Sequence, residues 1–482
     1  MNFAQGYRHK AAEIERLAKD PRQPPELRAE LRAVAPMASS CGTGRLDRAP
    51  AESVQLGREQ EAVMATFLIT NPAPSKRRVS GGILFLLAGL AALGTLATNI
   101  ILPAFPQIGA ELAISSPELG LLLSSFFVAF AFGQLVVGPF SDRFGRTWLV
   151  LGGLAVFAAG SVLCAFADTL SFLVLGRVIQ ALGACAASVL SRAIARNLFD
   201  GEALARALAL TMIASAAAPG FSPLLGSILA GLFGWRITFL VVAAFSVALA
   251  WHYIGRIGET HPVGRRMPLA PSAVASAYGR LAADPRFLLP ALAVSLVIGG
   301  LYSFFAAAPG VLMNELGLTA VQLGLSFAAT VLIVFAAGFL APRLALRWTQ
   351  RAVSMIGLFV ALAGGVAMFA FAAAPTFVTF NMAIALYLFG MGLINPLGTA
   401  IALHPFGRQA GLASALLGFL QMGCAAIGTS LASALPLQPS VSLAVVLTVG
   451  SALALLVFLP VALRQPRAEP SGSDGVPEST GG

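Results

Sequence analysis

The chain has 482 residues, of which 11% are charged and 57% are hydrophobic, and its mean hydropathy is +0.83. An ordinary soluble domain carries roughly 25% charged residues, and 22 of the 52 charges of this chain lie in its first 80 residues. The rest of the chain could not cover a soluble globule with polar surface, which excludes a soluble enzyme and a nucleic-acid-binding domain.

Residues 1–80 form a polar, charged extension that we predict to be disordered and cytoplasmic, because such a composition cannot bury a core. Met64 begins a short polar lead-in to the first apolar run, near Ile83, and this leaves two interpretations open. Either the true start is Met64, or residues 1–63 are a genuine tail. No N-terminal secretory signal is predicted.

Twelve apolar runs follow, each close to the 20 or so residues that a helix needs to cross a bilayer. We call them spans 1 to 12 and expect them at roughly 83–103, 118–140, 148–167, 171–194, 205–231, 237–254, 288–311, 322–341, 353–372, 377–400, 411–433 and 441–463. They predict an all-α polytopic membrane protein. Its expected parts are a six-helix bundle at 81–254, a central loop at 255–287, a second six-helix bundle at 288–464 and a disordered tail at 465–482.

Lysine and arginine lie almost entirely on one side of this predicted topology. From Lys76 onward there are 21 such residues. With the N-terminus in the cytoplasm, 19 of them face inward, only Arg236 faces outward, and Arg177 lies inside span 4. Because basic residues favour the cytoplasmic side, both termini are predicted to be cytoplasmic.

The four cysteines do not suggest a cofactor. Three of them lie in apolar runs, so neither a disulfide framework nor a zinc site is predicted; they are Cys41, Cys164, Cys185 and Cys424. No metal site or other cofactor is expected.

The loop between spans 2 and 3 reads Gly-Pro-Phe-Ser-Asp-Arg-Phe-Gly-Arg over 138–146. This pattern resembles the G-x-x-x-D-R-x-G-R loop of the major facilitator superfamily, and the resemblance extends over all twelve spans. Gly138 is expected to let span 2 approach a neighbouring helix closely. The anion of Asp142, held by Arg146 or a helix N-terminus, is expected to latch the cytoplasmic side in one access state. This gate motif is Gly138, Asp142, Arg143, Gly145 and Arg146.

Span 4 contains an arginine, which is costly inside a membrane. Arg177 and Gln180 are three residues apart and share a helix face. They are similar to the R-x-x-Q-x-x-G pattern of the same superfamily, and we expect both to face a central cavity. Snorkelling of Arg177 to the outer interface is the alternative.

Two further motifs resemble the Bcr/CflA-type drug-resistance branch of the superfamily. Span 5 has a variant of the drug-exporter motif, with two prolines expected to bend the helix and two glycines expected to pack tightly. Its residues are Pro219, Gly220, Pro223 and Gly226. Span 11 reads A-G-L-A-S-A-L-L-G-F-L-Q, with small residues expected to form a close-packing stripe at Gly411, Ser414 and Gly418.

In span 1, Asn99 stands where the branch has an aspartate. The resemblance implies export driven by protons, which needs a group that gains and loses a proton during the cycle. Asn99 cannot do so, and no predicted span carries a carboxylate at mid-membrane. Other titratable groups lie near the cytoplasmic surface at Asp142, Glu202, His252 and His404.

A cavity with Arg177 and no acid should favour neutral or weakly acidic amphipathic molecules. Its expected lining is Asn99, Arg177, Gln180, Met212, Tyr302, Phe305, Asn395 and Gln421. For each aromatic residue, packing in a bundle or against lipid is the alternative interpretation.

The predicted function is therefore alternating-access efflux of drugs or other small amphipathic molecules, by a monomer in the inner membrane of a bacterium. The expected partners are the lipid bilayer and a small-molecule substrate, with protons open as the coupling ion and no nucleic acid. The alternative is a facilitator or importer of a small neutral or anionic metabolite. Catalytic residues are not predicted, because embedded enzymes need clustered nucleophiles and acids.

Overall fold

A computed structural model of the protein describes residues 80–257 and 271–463. The predicted tail at 465–482 and all but the last residue of the 1–80 extension, including Met64 and Cys41, lie outside the described residues. Within those ranges, twelve helices are long and apolar enough to cross a membrane, and none of the residues lies in a strand. The prediction of an all-α protein with twelve spans is confirmed.

The first half of the molecule contains spans 1 to 6. Span 1 is Gly81–Asn99, followed by a 3-10 turn at Leu102–Ala104 and a short helix at Phe105–Leu112. Spans 2 to 6 are Ser116–Phe144, Arg146–Ala165, Leu170–Leu198, Gly201–Phe233 and Arg236–Arg256. Span 1 is interrupted where prolines remove backbone N–H groups, at Pro103 and Pro106.

The second half contains spans 7 to 12. Span 7 is Pro285–Ala308 and continues as a wider π-helical stretch at Pro309–Glu315. Spans 8 to 12 are Ala320–Arg347, Gln350–Phe371, Phe377–Leu403, Ala410–Ala434 and Pro439–Leu463, with a 3-10 stretch at His404–Gln409 between spans 10 and 11.

The region predicted as a loop at 255–287 contains a helix at Pro271–Ala283, which we call the linker helix. The loop prediction was wrong for these residues, because the stretch is too short and polar to be recognised as a span but still has an apolar face. Leu281, on that face, is buried against span 7 at Phe287 and against span 11 at Ala413 and Leu416. The linker helix therefore docks on the second half.

Threonine hydroxyls mark the start of several spans. Thr169, Thr319, Thr349 and Thr376 each accept a hydrogen bond from the backbone N–H three residues later. An N-cap of this kind satisfies a donor that the first turn of a helix leaves free. These caps determine where spans 4, 8, 9 and 10 begin.

Spans 3 and 4 pack in the same way as spans 9 and 10. A methyl group added to Gly160 would overlap the backbone nitrogen of Gln180, and one added to Gly364 would overlap that of Tyr387. Small residues let two helix backbones approach closely in a membrane, where packing drives association. The recurrence of this contact supports the prediction of two internal repeats.

Arg236, predicted to be the one arginine on its side of the membrane, connects three segments of the first half that lie at the ends of spans. Its guanidinium forms salt bridges to Glu111, after span 1, and to Asp168, before span 4. It also lies 4.3 Å from the ring of Trp235, whose indole N–H donates to Glu111 at 2.6 Å. In the second half, Glu315 accepts instead from the backbone N–H of Ser440, at the start of span 12.

The two halves contact each other most extensively along two pairs of spans. Span 2 meets span 11 where a methyl group on Gly120 would overlap the hydroxyl of Ser433. Span 5 meets span 8 where a methyl group on Gly324 would lie 2.8 Å from the Cα of Leu224. These contacts lie toward the side that carries Arg236, which we call the arginine-poor side. The loop between spans 2 and 3 and the linker helix lie on the arginine-rich side.

Replacing Gly160 by alanine should destabilise the protein, because the added methyl group would overlap the backbone of span 4. Overpacking of this kind costs about 1–3 kcal/mol, so the thermal unfolding midpoint in detergent should fall. Gly152→Ala is the control, since a methyl group at Gly152, also on span 3, meets nothing within 4 Å. Equal midpoints for the two variants would contradict the close packing of spans 3 and 4.

Candidate functional site

Arg177 lies at the centre of the first half and has no exposed surface. Its Nε donates to the carbonyl of Leu122 in span 2 at 3.1 Å, and its Nη1 donates to the carbonyl of Ala97 in span 1, also at 3.1 Å. Nη1 also donates to Oε1 of Gln180 at 2.6 Å. The guanidinium thus connects spans 1, 2 and 4.

The carbonyl of Ala97 is well placed to accept from a cation. It belongs to the last turn of the first helical segment of span 1, which ends at Asn99. The last four carbonyls of a helix lack donors within the helix, and the C-terminal end carries partial negative charge. The ring of Phe126, 4.4 Å from the guanidinium carbon, adds a cation–π contact. Arg177 is therefore stabilised by carbonyls and a ring rather than by a carboxylate.

Gln180 extends this network into span 3. Its Nε2 donates to the hydroxyl of Ser161 at 2.7 Å, and that hydroxyl donates to the carbonyl of Phe157 at 2.8 Å. Gln180 and Ser161 have no exposed surface. The sequence predicted that Arg177 and Gln180 share a helix face, and the structure places them in direct contact.

The sequence predicted that Arg177 and Gln180 would face a central cavity, but neither side chain has exposed surface in this conformation. Both side chains are enclosed between spans, because backbone carbonyls of spans 1 and 2 and the hydroxyl of Ser161 accept their hydrogen bonds. The sequence could not reveal these partners, since any residue can supply a carbonyl.

Asn99 is also enclosed, with 1% of its surface exposed. Its Nδ2 donates to the carbonyl of Thr95 at 2.7 Å and to the hydroxyl of Thr98 at 3.1 Å. Asn99 is the last residue of its helical segment, two residues after the carbonyl that Arg177 binds. The position at which the branch has an aspartate therefore lies next to the hydrogen-bond network of Arg177, along span 1.

A chain of aromatic rings leads from Arg177 into the second half. Phe126 contacts Phe127 on span 2, with ring centroids 6.1 Å apart, and Phe127 contacts Tyr302 on span 7 at 4.6 Å. Tyr302 in turn contacts Phe305 at 5.9 Å. Phe127 was not predicted as a site residue, because its position in the sequence does not distinguish it from the other phenylalanines of the spans.

The remaining residues predicted to line the cavity lie on three separate spans. Met212 on span 5 is 67% exposed, while Asn395 on span 10 and Gln421 on span 11 are partly exposed. Phe305, in contrast, is only 4% exposed and lies in the core. The structure thus brings Arg177 and Gln180 together with Tyr302 and Phe305 through the ring contacts, and Met212, Asn395 and Gln421 keep more exposed positions.

The gate motif, predicted to lie in a loop, covers the helical end of span 2, the connecting residue Gly145 and the first residue of span 3. Gly145 has a φ of 92°, a backbone conformation that favours glycine. Nη1 of Arg146 donates to the carbonyl of Ala193 in span 4 at 2.6 Å, and Arg143 is exposed, with its guanidinium carbon 5.2 Å from the ring of Phe144. The side chain of Asp142 lies outside the described residues, so its part in a latch stays a prediction.

The close approach expected at Gly138 is not present, because a methyl group there would meet nothing within 4 Å. The same correction applies to Gly411, which is exposed and also has open space. In span 11 the tight contact lies at Gly418, where a methyl group would overlap the side-chain amide of Gln134 on span 2. Ser414 is half-buried.

Gln134 is a residue of the contact between the halves that was not predicted from the sequence. It is 5% exposed and lies against Gly418. A lone amide inside an apolar span is a signal that could have identified it, because polar groups avoid lipid.

The span 5 motif has contacts in both directions. A methyl group on Gly220 would lie 2.6 Å from Cγ2 of Val331 in span 8, and one on Gly226 would overlap the carbonyl of Ile100, at the break in span 1. Pro219 and Pro223 lie inside a helix that runs without interruption over Gly201–Phe233. The motif therefore packs span 5 against the other half and against span 1.

A family model described as Major Facilitator Superfamily matches residues 87–429 of the chain. The chain is 30% identical over 358 residues to the uncharacterized MFS-type transporter YdgK of Bacillus subtilis (strain 168), covering 74% of this chain and 88% of that protein. It is 27% identical to multidrug resistance protein D of Escherichia coli (strain K12), with 81% and 98% covered. It is 26% identical to the bicyclomycin resistance protein homolog of Haemophilus influenzae, with 77% and 92% covered.

The fold is also similar to that of a solved structure, a bacterial homolog to the human lysosomal transporter Spinster in an inward-facing, unoccupied conformation. The two share a TM-score of 0.62 and 18% sequence identity, over 79% of this chain and 94% of that one. At this level of identity the likeness concerns the fold alone.

Replacing Arg177 by methionine should destabilise the protein, because it removes the donor to two buried carbonyls and to Gln180. Leaving a buried polar group unpaired costs about 1–3 kcal/mol, so the unfolding midpoint in detergent should fall clearly. Arg206→Met is the control, since Arg206 is exposed on span 5. If Arg177→Met abolished substrate binding without changing the midpoint, the scaffold role of this arginine would be refuted.

Proposed function

Because the chain belongs to the Major Facilitator Superfamily, we propose that it exports small amphipathic molecules by alternating access, as a multidrug efflux transporter. Two relatives that it matches over most of their length are named for multidrug and bicyclomycin resistance. Two six-helix halves that meet along spans 2 and 11 and spans 5 and 8 give the fold a central interface about which such a motion can occur.

The positive charge of Arg177 is the observation that supports the proposed class of substrate. The guanidinium is enclosed in the first half, and the acidic residues among the described ones stand at span ends or in connections; they are Glu111, Glu118, Asp142, Asp168, Asp200, Glu202, Asp284 and Glu315. A charge in a low-dielectric interior acts over a longer range than it does in water. Arg177 therefore raises the potential at the rings that join the halves, through its field rather than by contact.

This positive potential favours neutral or weakly acidic substrates over lipophilic cations. The contact of Phe127 with Tyr302 provides apolar surface for such molecules, and the more exposed amides Asn395 and Gln421 are suited to orient polar groups. The substrate cavity that we propose includes these residues, and Arg177 and Gln180 form its support.

The proposed location is the cytoplasmic membrane of a bacterium, with both termini in the cytoplasm and the chain acting as a monomer. The bias of lysine and arginine toward the arginine-rich side supports this orientation. Arg236, on the opposite side, is held by Glu111 and Asp168.

A second candidate function, a facilitator or importer without proton coupling, is favoured by Asn99. This amide occupies the position where the Bcr/CflA-type branch has an aspartate, and it forms hydrogen bonds as a neutral group. If protons drive transport, they must act through groups near the arginine-rich side, and Asp142, Glu202, His252 and His404 are the candidates. Of these, His252 contacts the carbonyl of Gly82 at 3.0 Å.

Purified protein in proteoliposomes should transport a neutral or singly anionic amphipathic fluorophore about tenfold faster than ethidium, because the field of Arg177 opposes cations. The measurement is the initial rate of dye movement at equal concentrations, with empty liposomes as the control. Strong ethidium export that is lost on Asn99→Ala would refute the proposed substrate class.

The variant Asn99→Asp should make transport more dependent on a pH gradient than it is in the unmodified protein. An enclosed carboxylate can be protonated and deprotonated, whereas an amide cannot. The measurement is the ratio of the flux with an imposed gradient to the flux without it, and Asn99→Ala is the matched control. A strong dependence in the unmodified protein that Asn99→Asp leaves unchanged would place coupling at another residue and weigh against the facilitator.

A further inference from the structure

Span 2 contains a proline, Pro139, five residues before its end. Proline has no backbone N–H, so the carbonyl four residues earlier in the helix loses its normal donor. That carbonyl belongs to Leu135. A carbonyl left without a donor inside a protein is costly, and a partner from another element is expected.

The linker helix supplies this partner. The hydroxyl of Tyr278 donates to the carbonyl of Leu135 at 3.1 Å. The pKa of Tyr278 is raised to about 12 by burial, so the phenol keeps its proton at physiological pH and remains a donor. The tyrosine thus takes the place of the N–H that Pro139 lacks.

This hydrogen bond joins the two halves of the molecule. The linker helix is anchored on the second half, where Leu281 is 3% exposed and packs with Phe287 and Leu416. Leu135 belongs to span 2 of the first half, one residue after Gln134, which contacts Gly418 of span 11. The bond lies on the arginine-rich side of the interface, near the gate motif.

We propose that Tyr278 of the linker helix and the carbonyl freed by Pro139 form a latch between the halves, which holds their arginine-rich ends together in one access state and opens in the other. The latch gives the linker helix a role as a positioning element in the transport cycle. It requires that the halves move, but it does not depend on which substrate is carried.

The latch can be tested by measuring the distance between the halves in the full chain, in lipid nanodiscs without substrate. Spin labels are placed on Trp148→Cys and Leu346→Cys, in a chain whose native cysteines are replaced by alanine. These two positions are 78% and 88% exposed and lie at the arginine-rich ends of spans 3 and 8.

The variant Tyr278→Phe keeps the ring and removes the donor, so the population with long distances should rise about threefold to tenfold, the range expected for one hydrogen bond. Leu281→Ala, which loosens the anchor, should shift the population in the same direction. Ser276→Ala is the control, because the hydroxyl of Ser276 donates within its own helix, to Ala273.

Measuring Tyr278→Phe in a second chain, which also carries Pro139→Ala, distinguishes the hydrogen bond of the latch from packing of the tyrosine ring. In Pro139→Ala, the new N–H at position 139 can donate to the carbonyl of Leu135. The logarithm of the change in the long-distance population caused by Tyr278→Phe should therefore be less than half of its value in the chain that keeps Pro139. An equal effect of Tyr278→Phe in both backgrounds, or no effect in either, would overturn the proposal. Because substrate is absent, neither outcome depends on the proposed efflux function.

Discussion

A positive charge enclosed in the membrane must be compensated within the protein, and the first half of this molecule is arranged around that requirement. Arg177 donates to carbonyls of spans 1 and 2 and to Gln180, and it stacks on Phe126. One of these acceptors lies at the end of a helical segment, which exists because span 1 is interrupted after Asn99. The break in span 1 and the buried arginine therefore stabilise each other, and both lie behind the rings that reach the second half.

The same rule governs the backbone elsewhere. In the hydrocarbon region no water is present to hydrogen bond a carbonyl that lacks a donor. Each interruption of a helix therefore requires a hydrogen-bond donor from a neighbouring element. Arg177 fills this role at Ala97, and Tyr278 fills it at Leu135. Partners taken from other helices make a local irregularity into a connection between distant parts of the chain. In the case of Leu135 the connection crosses from one half to the other.

Apart from the hydrogen bond of Tyr278 to Leu135, the contacts between the halves include close helix packing and an aromatic pair. Gly324 and Gly418 bring helix surfaces together with little space, and the pair Phe127 and Tyr302 joins flat apolar rings. Among the described residues neither of these contacts involves a salt bridge, so separating them exposes no unpaired charge there. Charged connections such as that of Arg236 with Glu111 lie within one half, where they can persist while the halves move.

Hydropathy determined the number of spans from the sequence alone, because crossing a bilayer requires long apolar helices whatever their partners. The shared face of Arg177 and Gln180 followed from helical spacing, and Gly145 marked a turn that the structure contains. The tertiary structure alone decided which atoms satisfy these groups, since the acceptors of Arg177 are backbone carbonyls that every residue has. It also decided that Gly418 is a contact and that Gly138 and Gly411 are not, that residues 271–283 form a docked helix, and that Tyr278 meets Leu135. These facts depend on which helices become neighbours, and the period of one helix carries no information about the surface of another.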